Sequence, residues 1–380
     1  MGGNQGAPAA QGGFGDWSFI IMMAVIFGIF YFLMIRPQQK KMKEHRSMIE
    51  ALRRGDQVVT SGGLIGKVVK VGDTELEVEL ALEVENVFAA NGSVEVLELA
   101  VQAFVEPGDG VVTSEHTFAI YMLAAMKIDA QLRMAPMIDG GYRYDLPAIG
   151  KLVDDRTKIV FLANPTNPTG TWFSGEEFDT FMAHVPEDVL VVYDSAYAEY
   201  CPYPDMPDPM KHYRQGRRIL CLRTFSKAYG MAGIRVGYAI GPADIIHGLM
   251  TCRVAFNLNL VAQAGAMAAL DDDEFVRRSR EFNDRELAFL REGMKELDVI
   301  VPPSRANFLL VDTKKNAQWL FEELQKQGII VRPMGGYGYP GAIRVNSPEN
   351  ERCQVMRFSQ KFGVSAESTM RCCSWTCATE

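Results

Sequence analysis

The sequence predicts an α/β fold, and three observations carry that reading. Lys158–Asn164 (KIVFLAN), Leu190–Tyr193 (LVVY) and Ile219–Leu222 (ILCL) are short, continuous apolar runs, as expected of strands buried on both faces. They recur in an alternating helix–strand rhythm, which favours parallel pairing. Each run also ends in a polar cluster: Asn164-Pro165-Thr166-Asn167-Pro168-Thr169-Gly170, then Asp194-Ser195-Ala196-Tyr197, then Arg223-Thr224-Phe225-Ser226-Lys227. Open α/β sheets collect ligands beyond the carboxyl ends of their strands. Three strand ends that deliver Asn, Asp with Tyr, and Ser with Lys therefore point at one site.

Composition narrows the function classes. The 380 residues suggest two or three structural units. Lys and Arg number 39 against 47 Asp and Glu, a net charge of −8, which argues against a nucleic-acid partner. With 48% hydrophobic and 23% charged residues the chain can bury a sizeable core. The seven cysteines form no CxxC pair, and three crowd the last nine residues. Neither a disulfide framework nor a metal site is indicated.

Taken in order, residues 2–15 are rich in Gly, Ala and Gln and read as a flexible N-terminus over 1–16. Trp17–Ile35 (WSFIIMMAVIFGIFYFLMI) is uncharged over nineteen residues, close to what a hydrocarbon core of roughly 30 Å requires. No basic residue precedes it, as a cleavable signal peptide would want, and no polar face marks it as a buried soluble helix. It reads as a transmembrane helix over 17–35. Arg36, Lys40, Lys41, Lys43, Arg46, Arg53 and Arg54 follow it, and the positive-inside rule places everything beyond in the cytoplasm. This predicts a single-pass inner-membrane protein. A solvated charged helix accounts for the basic run, and contact with anionic lipid is compatible with it. Short β-runs between Gly turns come next, from Gly55-Asp56 through Ile65–Val71 to Leu76–Leu80, as in a small β-rich domain. The apolar span, Ile35-Arg36-Pro37-Gln38-Gln39-Lys40-Lys41 and Gly55-Asp56-Gln57-Val58-Val59-Thr60-Ser61-Gly62-Gly63 resemble, over about residues 15–80, the preprotein translocase accessory subunit YajC. That resemblance implies a translocase partner and no catalytic chemistry.

From about Val84 the character changes. Asn91-Gly92-Ser93 leads into an apolar-periodic helix over Val94–Phe104. A Gly-Ser turn at a helix start can cradle phosphate, and it can equally be an ordinary Ser N-cap. The strand ends are more informative. A lysine amine can form a Schiff base with an aldehyde cofactor. A buried carboxylate can keep a pyridine nitrogen protonated. A phenol and an amide can bind a ring hydroxyl, and hydroxyls with an Arg can bind a phosphate ester. Singly, each residue has a structural explanation: Lys227 on the surface, Asp194 capping a turn, Asn167 in a Pro-bracketed turn. Together they match the requirements of pyridoxal 5′-phosphate.

Residues 84–350 resemble the class I/II aminotransferases of pyridoxal-phosphate fold type I, and among them the histidinol-phosphate aminotransferases. The motifs are Asn91-Gly92-Ser93-Val94-Glu95, the Asn164–Gly170 cluster, Asp194-Ser195-Ala196-Tyr197, Thr224–Gly237 (TFSKAYGMAGIRVG), Ala306-Asn307-Phe308, Arg332 and Ile343-Arg344-Val345. The resemblance implies that Lys227 is the Schiff-base lysine and Asp194 the partner of the pyridinium. Tyr197 and Asn167 contact the ring hydroxyl. Gly92, Ser93, Thr224, Ser226 and Arg235 surround the phosphate. Phe118 stacks on the ring, and Asn307, Arg332 and Arg344 bind substrate. It further implies an amino donor with 2-oxoglutarate as acceptor, and a homodimer.

The resemblance implies a pyridoxal-phosphate-binding large domain on a mixed, mostly parallel sheet over 84–255, shortened at its N-terminus, a small α+β domain over 256–350, and an atypical tail over 351–380. The β-rich segment over 36–83 stands where the family carries a substrate-covering segment, so turnover is expected to suffer more than cofactor binding. A non-enzymatic membrane accessory protein with a degraded domain, another class I/II aminotransferase, and a threonine-phosphate decarboxylase-like enzyme share these motifs.

Overall fold

The computed structural model describes residues 84–346, together with the strand backbones β1 (Gln57–Val59), β2 (Ile65–Val71), β3 (Leu76–Leu80), Val355–Met356 and Met370–Arg371. The chain divides into two compact units, residues 1–58 with 65–81 and residues 59–64 with 82–380. In the first, β1, β2 and β3 lie in that order in one sheet. β2 and β3 run antiparallel from Gly66↔Leu80 to Val71↔Leu76, with an irregularity between Val68 and Lys70. The expected membrane span over 17–35, the basic flank and the flexible N-terminus lie outside the described residues. Among the described residues no helix is long and apolar enough to cross a membrane. Of the tail, only the antiparallel pair Val355–Met356 and Met370–Arg371 is described.

The second unit opens with β4 (Val87–Ala90), α1 (Ser93–Phe104), β5 (Gly110–Ser114), α2 (Ala119–Lys127), β6 (Gln131–Ala135), the hairpin β7 (Met137–Ile138) and β8 (Arg143–Tyr144), and α3 (Leu146–Lys151). It continues with β9 (Thr157–Ala163), α4 (Gly175–His184), β10 (Leu190–Asp194), α5 (Pro209–Arg214), β11 (Ile219–Thr224), β12 (Gly237–Ile240) and α6 (Ala243–Cys252). Seven strands form one sheet in the order β4-β12-β11-β10-β9-β5-β6. β12 is antiparallel to both neighbours, and the remaining pairs are parallel. The mixed, mostly parallel sheet is the one expected.

The apolar runs are strands because both of their faces are covered. Ile159, Phe161, Leu190, Val192, Leu220 and Leu222 pack with α1 and α6 residues such as Leu97, Val101 and Leu249. Their alternates Val160, Leu162, Val191, Tyr193, Ile219 and Cys221 pack with Ile149 of α3 and Phe178 and Met182 of α4. This period of two across a central strand leaves no position free for a polar side chain until the strand ends.

A second, smaller sheet follows α7 (Leu260–Leu270) and α8 (Asp273–Met294): β13 (Phe308–Asp312), α9 (Ala317–Gln325), β14 (Arg332–Pro333) and β15 (Ala342–Asn346). Its order is β13-β15-β14, all antiparallel. Asn283, Leu287, Leu290 and Met294 are the buried stripe of α8, at the spacing of one helix face. The three apolar members of that stripe meet Leu309, Val311, Ile343 and Val345. By contrast, Ala262 of α7 packs on Phe225 and Val236, beside the large sheet.

Candidate active site

The parallel register sets the strand ends level. Asp194, last in β10, is opposite Ala163 at the end of β9 and Leu222 near the end of β11. Beyond these ends is one cavity, lined by Ser93, Phe118, Asn167, Asp194, Tyr197, Thr224, Ser226, Lys227 and Arg235 together with Val94, Ala163, Pro165 and Ala196. The cavity thus gathers nine of the residues singled out from sequence.

Part of the cavity wall is built for an anion. Six of the nine helices among the described residues begin with a side-chain cap, from Asp145 on α3 to Asn316 on α9. α1 does not: its N-cap is Gly92, at φ 81°, with no side-chain bond to the first turn. Its free amides and the positive end of the helix dipole are therefore available. Arg235 adds a guanidinium. It holds a left-handed backbone at φ 62°, an uncommon conformation for a residue with a Cβ. Its Nη1 donates to Ser226 Oγ (3.3 Å) and to the Ala232 carbonyl (3.0 Å). Thr224 Oγ1 accepts from the Ser226 amide at 3.1 Å. A Cβ on Gly92 would collide with the Arg235 guanidinium, and one on Gly237 would come within 2.8 Å of the Ser93 nitrogen. Both glycines are needed for this close approach.

The same cavity carries a buried carboxylate. Asp194 is 5% exposed. Its Oδ2 accepts from Tyr121 Oη at 2.8 Å and its Oδ1 from the Ala196 amide at 3.1 Å. Tyr121 is completely buried. Burial, and then the charge of Asp194, push its phenol well above the ordinary value, so the hydroxyl remains a donor. Also on the cavity wall, Lys227 Nζ lies 5.5 Å from the centre of the Tyr197 ring, and Tyr197 meets Phe308 edge-on at 5.4 Å.

Arg344 reaches the cavity through Asn167, donating from Nη1 to Oδ1 at 2.9 Å, and its guanidinium lies 4.7 Å from the Phe308 ring centre. Arg344 is 5% exposed, and its Nε has no hydrogen-bond partner. Arg332 is directly opposite it in the β14–β15 register and lies 5.8 Å from the Tyr337 ring centre. Two like charges facing each other across strands are destabilising unless an anion joins them. Arg332 and the half-buried Asn307 do not line the cavity itself.

Two features went unrecognised in the sequence. Tyr121 follows Phe118 by one helical turn, a spacing that places both on one face. That spacing was the available signal. The second is the ion pair between Arg223 Nη1 and Glu199 Oε1 (3.1 Å), which joins the end of β11 to the turn after Tyr197. Burial raises the Glu199 carboxyl above its ordinary value, against the pull of Arg223.

An uncapped helix start with Arg235 and hydroxyls, a lysine and a buried carboxylate, all lining one cavity, form a donor set that fits an anionic, aldehyde-bearing pyridine. Among the described residues no group of His, Cys, Asp and Glu could hold a metal ion.

Comparison with known proteins agrees with this geometry. The model of the family "Aminotransferase class I and II" matches residues 70–358, and that of the YajC preprotein translocase subunit matches residues 20–94, the signature of a fusion. The chain is 43% identical over 264 residues to histidinol-phosphate aminotransferase 2 of Pseudomonas fluorescens, covering 70% of this chain and 71% of that one. It is 45% identical over 279 residues to the histidinol-phosphate aminotransferase of Anaeromyxobacter sp., covering 72% and 76%. Among solved structures, the histidinol-phosphate aminotransferase of Sinorhizobium meliloti in complex with pyridoxal-5′-phosphate superposes with a TM-score of 0.65 at 28% identity, covering 70% of this chain and 73% of that one. The sheet order, the site and these matches lead to one conclusion: the chain belongs to the class I and II aminotransferase family.

Proposed function

We propose that the chain is a pyridoxal-phosphate-dependent histidinol-phosphate aminotransferase, which moves an amino group from histidinol phosphate to 2-oxoglutarate and yields imidazole-acetol phosphate and glutamate. The observation that carries this reading is the cavity that joins Lys227, the buried Asp194 and the open start of α1 with Arg235. The names of the relatives supply the substrate.

When bound, pyridoxal phosphate supplies an aldehyde that condenses with amines and a ring that withdraws electrons from the substrate α-carbon. This chain's residues do the rest. The α1 amides, Ser93, Thr224, Ser226 and Arg235 hold the phosphate, with Gly92 leaving room for it. Asp194 would accept a hydrogen bond from the ring nitrogen, and Phe118 would cover the ring. Tyr197 and Asn167 orient the ring hydroxyl. Lys227 would anchor the aldehyde and, once the substrate's amino group has displaced it, its freed amine would move the proton at the substrate α-carbon. Arg344 and Arg332 take the anionic end of the substrate, which relieves their mutual repulsion, and Asn307 contributes to that subsite.

Three further parts of the reading concern assembly. Val254, Phe256, Leu260 and Val261 are 68%, 96%, 80% and 70% exposed in one short segment, and such an apolar patch supports pairing of two copies. The uncharged run over 17–35, with its basic flank, supports a single membrane anchor that leaves the aminotransferase part in the cytoplasm. The YajC match supports association with the translocase. The domain boundaries at 84, 256 and 351 belong to this reading.

Single-turnover absorbance tests it. With pyridoxal phosphate bound, a visible band near about 420 nm should bleach on addition of histidinol phosphate and return with 2-oxoglutarate. No spectral change with any amino donor would leave only a non-enzymatic role. Protease added to intact spheroplasts should spare the large domain, and its digestion from outside would reverse the topology.

A further inference from the structure

The group that holds Asp194 is itself held with unusual completeness. Asp194 Oδ2 accepts from Tyr121 Oη at 2.8 Å, and Oδ1 accepts from the Ala196 amide at 3.1 Å. Tyr121 is completely buried on α2, stacked on Phe161 of β9 at 4.7 Å and edge-on to Phe118 at 5.8 Å. One ring therefore touches a wall residue of the cavity, the centre of the sheet and the carboxylate. A phenol so enclosed has no freedom to turn its hydroxyl away, and a buried hydroxyl left without a partner is costly.

We propose that Tyr121 is a positioning residue: its hydroxyl fixes the Asp194 carboxylate and weakens it as a proton acceptor, so that the proton shared between Asp194 and the pyridine nitrogen resides on the ring. This rests on the reading of Asp194 given above. The physical basis is that a hydrogen bond donated to a carboxylate favours its ionised form. Removing that donor strengthens Asp194 as a base and draws the shared proton toward oxygen. The ring then withdraws electrons less well, and the step that removes the α-proton slows, whereas the phosphate contacts around Arg235 are unchanged. Tyr144, also completely buried but with its hydroxyl bonded to Thr117, is the control for a second buried phenol.

The test is the nitrogen-15 NMR signal of ring-labelled pyridoxal phosphate bound to the full-length chain, with single-turnover rates on the same samples. For Tyr121→Phe, which keeps the ring packing, the signal should move toward the unprotonated-pyridine value and the rate should fall about tenfold, the size expected for one hydrogen bond to a charged group. The concentration of donor giving half-maximal rate should stay unchanged, and Tyr144→Phe should leave the signal in place. Replacing Tyr121 with 3-fluorotyrosine, which keeps its shape and donates more strongly, should shift the signal the other way, so the proposal remains testable if the phenylalanine variant folds poorly. Two failures are distinguishable. If Asp194→Asn moves the signal but neither Tyr121 variant does, Tyr121 has no positioning role. If Asp194→Asn leaves the signal in place, or the wild-type chain binds no pyridoxal phosphate, the reading of the site itself fails.

Discussion

Helices α1 and α4 cover opposite faces of one sheet and begin in opposite ways. α4 starts with a reciprocal capping box, in which Ser174 Oγ accepts from the Glu177 amide at 3.2 Å and Glu177 Oε2 accepts from the Ser174 amide at 2.8 Å. α1 starts at a left-handed glycine with no side-chain cap. Its first-turn acid, Glu95, is occupied elsewhere, accepting from the Asn91 amide at 2.6 Å and from Asn257 at 2.9 Å. Both helices bury an apolar stripe against the same strands, so burial does not explain the difference. The closed start serves stability, and the open start leaves its amides to a ligand. A helix that forgoes a cap worth about 1 kcal/mol beside an arginine and a cluster of hydroxyls is thus a functional signal in itself.

Substitutions at the two ends should separate these roles. The largest effect is expected at Lys227: Lys227→Ala should lower the single-turnover rate by about 10²–10⁴-fold, with the circular dichroism of the cofactor-free chain unchanged. Gly92→Ala comes next. A Cβ there meets Arg235 and forces a left-handed alanine, a strain of roughly 1–3 kcal/mol. The affinity for pyridoxal phosphate, followed by fluorescence titration, should weaken by about tenfold or more. Unaltered affinity would refute the close approach of backbone and phosphate.

At the α4 end the pattern should invert. Ser174→Ala should cost about 1 kcal/mol of unfolding free energy and leave cofactor affinity untouched, as read by urea titration and fluorescence. The smallest effect depends on pH. Burial alone would raise the Glu177 carboxyl, but its bonds to Arg143 and to the Ser174 amide outweigh this and hold it below the ordinary value. A carboxyl with a lowered folded-state pKa contributes stability that is present above its unfolded value, about 4.3, and is lost as pH falls through the folded value. Glu177→Gln should therefore destabilise the chain by about 0.3–1 kcal/mol at pH 7, and the difference should vanish in acid. A difference that persisted in acid would assign the effect to packing.

How much of this was legible in the sequence follows from where each signal is encoded. The strands β9, β10 and β11 could be read because a strand covered on both faces must be continuously apolar, and the polar residues that end them mark the site by contrast. Asp194, Lys227 and Arg235 could be read as a set, since their order along the chain matches a family pattern. Tyr121 could not be assigned a role. Its hydroxyl gains meaning only when α2 packs beside β10, seventy-three residues further along the chain, and its apolar ring reads as ordinary core. The pairing of Arg332 with Arg344 was hidden for a related reason: β14 is two residues long, too short to show a period, so the register that opposes the two arginines exists only in the folded sheet. The Arg223–Glu199 ion pair likewise depends on a turn meeting a strand.

Borohydride reduction followed by peptide mapping shows whether the open end of α1, Asp194 and Lys227 form one cofactor site. Full-length chain incubated with pyridoxal phosphate and reduced should carry a single pyridoxyl group, on the peptide containing Lys227, and inorganic phosphate should compete with its formation. Label spread over exposed lysines such as Lys295 and Lys326, or no label on Lys227 at saturating cofactor, would contradict the account.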